Sequence, residues 1–238
     1  MRTIQLTSSL ITFWSDVVFL EAALRATPET EALAAPVTEV LDDFPKILQR
    51  DLNTRRGVLQ ESARGSVADA SLDTGIRQLF NGVLHLVGQN RKRAEFTTLF
   101  NEHIGAVVRH ALRKQIDVAD GLVGKLAVKI YPDDFRTRFV ELLRPLVAHG
   151  RSVIEAQRQA EVGRVDGRID VKAWKEEVNA IRLSVYAQLL TIASQTGRKR
   201  SWAEVFFLRS PTRKPAGSDE PDDIIDEDDD EDPPEPQT

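Results

Sequence analysis

Apolar residues recur at spacings of three and four along most of this 238-residue chain, and strict alternation is almost absent. The plainest run is Leu72, Ile76, Leu79, Phe80, Val83, Leu84 and Val87. Those spacings place all seven on one stripe of an amphipathic helix. A second run, Val171, Trp174, Val178, Ile181, Val185 and Ile192, has Gln188 in the intervening seam position. Its three-four alternation is that of a bundle or coiled-coil seam. The pattern predicts an all-α fold, a helical bundle of six to seven helices.

Punctuation sets the expected boundaries. A first helix spans about 3–26 and stops before Thr27-Pro28, since the residue before proline is pushed out of the helical region. A second, about 29–62, contains Pro36 and Pro45 and should kink or divide. Gly65-Ser66 reads as a loop. A third helix covers about 69–89, and a fourth runs from about Arg93 to Ile130 with Gly121 and Gly124 as weak points. Tyr131-Pro132-Asp133-Asp134 starts a fifth, with Pro145 as a bend. The segment 163–170, with its Asp-Gly pair, reads as a turn in which Asp170 caps a sixth helix ending near Gly197. Ser201 is placed to cap a last short helix, Trp202–Leu208.

Charge divides the chain more sharply than hydropathy. All 32 Lys and Arg lie in residues 1–214, against 25 acids there, a net of +7; the other 12 acids lie in residues 215–238. The expected organisation is therefore a helical bundle domain, 1–214, followed by a disordered acidic tail, 215–238, too poor in apolar residues to fold. Ile224 and Ile225 are the tail's only large apolar residues. Such a tail can dock in a basic groove, mimic a nucleic acid over the protein's own basic surface, or keep the bundle soluble.

The absence of cysteine excludes disulfides and thiolate chemistry and fits a reducing compartment. The N-terminal apolar run is interrupted by Asp16 and Glu21 and reads as a helix, not a signal peptide. No uncharged stretch reaches the roughly 20 residues that a membrane span requires. A cytoplasmic protein is the expectation.

No constellation carries recognisable catalytic chemistry. His103, His110 and Asp117 are spaced by seven along one expected helix edge, but seven residues rise about 10.5 Å, too far for two imidazoles to share a metal. The paired Glu-x-x-His motifs of a di-iron bundle are missing. Gly121-Leu122-Val123-Gly124-Lys125 lacks the spacing of a phosphate loop, and close helix packing is the expected reason for its glycines. Neither cofactor nor metal is expected.

Two basic clusters remain, Arg91-Lys92-Arg93 and Arg198-Lys199-Arg200, the second extended by Arg209, Arg213 and Lys214 with Trp202 and two phenylalanines interleaved. With Ile224 and Ile225, these are the candidate interaction residues. The expectation is a non-enzymatic interaction or scaffold protein that binds a protein partner, its tail tuning or mediating the association. The alternative is a nucleic-acid-associated protein that uses both basic clusters, with the tail as competing anion.

Overall fold

The structure, a computed structural model, describes residues 3–101 and 103–208. Those residues are all-α: seven helices and one 3-10 turn, with no strand among them. The helices are α1 (Leu10–Arg25), α2 (Ala35–Leu86), α3 (Ala94–Leu99), α4 (Ile104–Val107), α5 (Leu112–Leu126), α6 (Asp133–Gln195) and α7 (Arg200–Glu204). Two dominate. At 1.5 Å per residue, the 52 residues of α2 and the 63 of α6 extend roughly 80 and 95 Å.

Local chemistry fixes the ends. Ser9 caps α1, its hydroxyl accepting the Thr12 amide at 3.1 Å. The fully buried Thr30 donates its hydroxyl to the carbonyls of Leu24 (2.7 Å) and Thr27 (3.0 Å), which closes the turn into α2. Gly88 follows α2 with φ +59°, Gly197 follows α6 with φ +66°, and the next amides, of Gln89 and Arg198, reach back to Leu84 and Ala193 at 2.8 Å. These left-handed positions satisfy the last carbonyls of both long helices.

Two hydrophobic cores lie at opposite ends of the antiparallel α2–α6 pair. One joins Leu72–Val87 of α2 to α3, α4, α5 and the first turns of α6; Phe80, Phe96 and Phe100 meet there with centroids 5.1–5.8 Å apart. The other joins α1, the start of α2, the end of α6 and α7 around Trp174, whose indole N–H donates to the Val40 carbonyl at 3.2 Å.

Between the cores, α2 and α6 face each other through a polar waist. Asp51 accepts from Arg164 at 2.6 Å and from Arg55 at 2.9 Å, and Arg50 pairs with Asp170. Small residues let the backbones approach: a Cβ at Gly167 would lie 3.0 Å from Thr54 Oγ1, and one at Gly65 would strike the Gln157 amide.

Several boundaries expected from the sequence are corrected by this geometry. Gly65-Ser66 and 163–170 are helix interior, not loops, because Gly65 and Gly167 supply the close approach and Asp170 is occupied by Arg50 instead of capping. A glycine costs a helix only about 1 kcal/mol, which the facing helix offsets. Pro36 falls in the first turn of α2, where its missing N–H is harmless, while Pro45 and Pro145 sit inside α2 and α6 without ending them.

The helix expected over 93–130 is broken into α3, α4 and α5, since folding back lets Phe96, Leu99, Phe100 and Val107 enter one core. Gly121 and Gly124 make no close approach, for a Cβ at either would meet nothing within 4 Å. Residues 3–8 are not helical, and Lys199, not Ser201, precedes the first turn of α7. The expected domain boundary at 214 and the acidic tail lie outside the described residues.

Candidate functional site

The two basic clusters occupy opposite ends of the long helical pair. Arg91, Lys92 and Arg93 follow the end of α2; Arg198, Lys199 and Arg200 follow the end of α6. Their separation is on the order of 90 Å, the length of α6. They cannot form one continuous footprint.

Most of these bases are already engaged. Arg91 lies over the Phe80 ring at 5.7 Å, and Arg93 pairs with Glu95. Arg198 forms a two-pronged pair with Glu29 at 2.6 and 3.1 Å while its guanidinium covers the Trp202 ring at 4.6 Å. Arg200 donates to the Tyr186 hydroxyl at 3.1 Å, and this bond, followed by the field of Glu204, raises its pKa above the ordinary value. Lys92 and Lys199 are exposed, with no ion pair among the described residues. Arg209, Arg213, Lys214, Ile224 and Ile225 lie outside those residues.

The aromatics beside the second cluster belong to the core. Phe206 and Phe207 are 5% and 6% exposed, and Phe207 meets Tyr186 edge-on at 5.6 Å. Trp202 is half-buried against Phe206, with centroids 5.0 Å apart. A base-stacking platform needs exposed ring faces, and only Trp202 retains part of one.

The histidines do not converge. His103 precedes α4, its ring nitrogen accepting the Gly105 amide at 3.1 Å, while His110 lies in the turn before α5 and Asp117 within it. The straight edge expected for these three is broken with the helix itself. No group of three His, Asp or Glu among the described residues is placed to hold a metal ion. His110, Lys114 and Lys125 border a small cleft of about 250 Å³ floored by Phe100, Val107 and Leu122.

The feature that sequence reasoning missed is the outer face of α1. Its inner face carries Phe13, Val17, Leu20 and Leu24, all buried. The rest of its surface leaves Ile11, Trp14, Val18 and Phe19 54%, 40%, 36% and 39% exposed, with Trp14 on the flank also stacking on Phe44 of α2 at 6.0 Å. A helix apolar on both sides needs two partners, and the fold supplies one. Phe19, Ala22 and Ala26 then continue into a shallow groove of about 430 Å³ against Trp202 and Val205 of the α7 turn. The signal was in the sequence, as the uncharged stretch from Thr3 to Ser15; which side was covered required the tertiary structure.

Beneath this face, Asp16 and Arg182 form a largely buried ion pair at 3.2 Å. Burial, outweighing their mutual attraction, raises the Asp16 pKa and lowers that of Arg182. Arg182 also lies 5.6 Å from the Phe207 ring. The pair bridges α1 and α6. No helix among the described residues is long and apolar enough to cross a membrane. Comparison of the chain with family models, with curated proteins and with solved structures finds no match in any of the three.

Proposed function

We propose that this protein is a non-enzymatic helical scaffold that binds a protein partner, with the acidic segment 215–238 tuning or mediating the association. The observation that carries the reading is the separation of two packed ends by a two-helix waist held by polar contacts such as Asp51–Arg164. A pair of helices this long provides a fixed span with different surfaces at its ends. Charge supports a role for the tail, since 12 acids follow a body of net +7.

The nucleic-acid alternative draws less support. Four of the six described bases in the two clusters are engaged within the chain, and the clusters lie too far apart to neutralise neighbouring phosphates.

Affinity capture with the full chain and with a chain truncated after Ala216, followed by cross-link mapping on the purified complex, tests the reading. The expected result is a protein partner bound by the full chain and bound differently by the truncated one. An unchanged partner interaction after truncation removes the tail from the mechanism. Tight, salt-dependent binding of nucleic acid by the truncated chain, with no protein partner, replaces the scaffold reading by its rival.

A further inference from the structure

The outer face of α1 is an apolar surface that the described residues leave partly uncovered, and three of its properties fit one occupant. The first is its size. With side chains of about 150–250 Å² for the aromatics and somewhat less for the aliphatics, the exposed fractions of Ile11, Trp14, Val18, Phe19 and Val205 leave on the order of 500 Å² of apolar surface. Doubling that gives roughly 1,000 Å², and the polar rim adds to it, which reaches the range of a specific protein–protein interface.

The second property is neutrality. Between Thr3 and Ser15 there is no ionisable side chain, and Asp16 turns inward to Arg182. Arg25, one heptad beyond Val18 on the same stripe, is matched by Glu21 at 2.9 Å, and Arg198 at the edge is matched by Glu29 at 2.6 Å. A surface built for an acidic peptide or an anionic membrane would leave its bases unmatched. A surface that meets its own copy must be close to neutral, because any net charge would face itself.

The third property is the order of sizes along the helix. The outward residues begin bulky, with Ile11 and Trp14, pass Val18 near the midpoint of Leu10–Arg25, and end with the small Ala22 and Ala26 on either side of the Glu21–Arg25 ion pair. Antiparallel pairing about Val18 sets each Trp14 over the partner's Ala22, beside the groove formed with Trp202 and Val205. Parallel pairing would set tryptophan on tryptophan and leave a gap between the alanines. Bulk meeting hollow under a two-fold axis is the self-complementarity that an isologous interface requires.

We propose that two copies of this chain form a homodimer through antiparallel packing of their α1 helices, with a two-fold axis close to Val18. This goes beyond the scaffold reading and stands or falls separately from it. A dimer joined at these ends carries two long α2–α6 pairs leading away from one junction.

The test uses the full chain in sedimentation and light scattering over a concentration series, where the expected mass is twice that of one chain. Val18→Glu sets two carboxylates against each other at the axis and should abolish the dimer. An unchanged helical circular dichroism spectrum then shows that the fold survives, since Val18 lies on the outer face. The native chain has no cysteine, so Val18→Cys is a clean reporter. Under mild oxidation it should give a covalent dimer in high yield, whereas Ile11→Cys, whose opposite number is near Arg25, should not.

Four results overturn the proposal. They are a monomer at every concentration, a dimer indifferent to Val18→Glu, a monomer that dimerises only after truncation at Ala216, and association seen only with vesicles of anionic lipid. The third would mark the chain's own tail as the occupant, and the fourth a membrane surface. A monomer that still binds its protein partner removes the dimer alone, while a dimer that binds no partner removes the scaffold reading alone.

Discussion

Asp51 and Arg164, 113 residues apart in sequence, meet at 2.6 Å in the middle of the α2–α6 pair, with Arg55 on the other carboxylate oxygen at 2.9 Å. The Asp51 side chain is 9% exposed and that of Arg164 17%. Removing one member leaves the other desolvated without compensation, which is more costly than never having had the pair. Asp51→Ala should destabilise by roughly 2–3 kcal/mol in urea unfolding. Asp51→Leu combined with Arg164→Leu should recover most of that loss. A double variant no better than the single one would show that the loss does not come from an orphaned Arg164 charge.

The continuity of α6 through 163–170 can be tested with glycine. Gly163 is a helix-interior residue whose added Cβ would meet nothing within 4 Å, so Gly163→Ala should stabilise by about 0.5–1 kcal/mol. Gly150 is the contrast. A Cβ there would lie 2.8 Å from Ile116 Cδ1, and Gly150→Ala should destabilise by about 1–3 kcal/mol. Opposite signs from one substitution in one helix are the expected outcome in thermal melts. Equal signs would contradict either the helix or its packing against α5.

Residues before α1 are held by side chains of α6. Asn179 donates to the Ile4 carbonyl and accepts the Ile4 amide, both at 2.9 Å, and Lys175 donates to the carbonyls of Leu6 (2.9 Å) and Ser8 (2.6 Å). Asn179→Ala should cost about 1–2 kcal/mol. Its sharper signature is local, because the Ile4 amide should lose protection from hydrogen exchange while amides of α2 keep theirs.

One pH effect follows from Asp69. Burial, and then the charge of Asp73, raises its pKa above the ordinary carboxylate value. A group that binds its proton more tightly when folded contributes stability that is fully present below about pH 4. That contribution is lost as the pH rises through the folded value. Asp69→Asn should remove the decline, so the variant should gain on the native protein between pH 4 and 7 in parallel unfolding curves. Parallel pH profiles would show that Asp69 is not perturbed.

Periodicity alone determined that the chain is helical and which face of each long segment is apolar, because stripes at three and four need nothing beyond the sequence. Leu72–Val87 and the Trp174–Val185 seam lie in the cores where the spacing placed them. The bipolar charge was equally legible, since charge is additive along a chain. Punctuation was not. A glycine or an Asp-Gly pair lowers helix stability by about 1 kcal/mol, a local term that Gln157 against Gly65, Thr54 against Gly167 and Arg50 against Asp170 outweigh. In the other direction, burial of Phe96, Phe100 and Val107 broke a segment that propensity would have kept straight.

The candidate surface followed the same division. The sequence determined that the N-terminal apolar run, interrupted by Asp16 and Glu21, is a helix and that bases flank the aromatics near Trp202. Only the tertiary structure decided which α1 face the core covers, that Phe206 and Phe207 are core residues, and that the two basic clusters stand at opposite ends. Those facts depend on contacts between residues more than a hundred positions apart, such as Asp16 with Arg182 and Trp174 with Val40, for which no local rule of spacing or composition carries a signal.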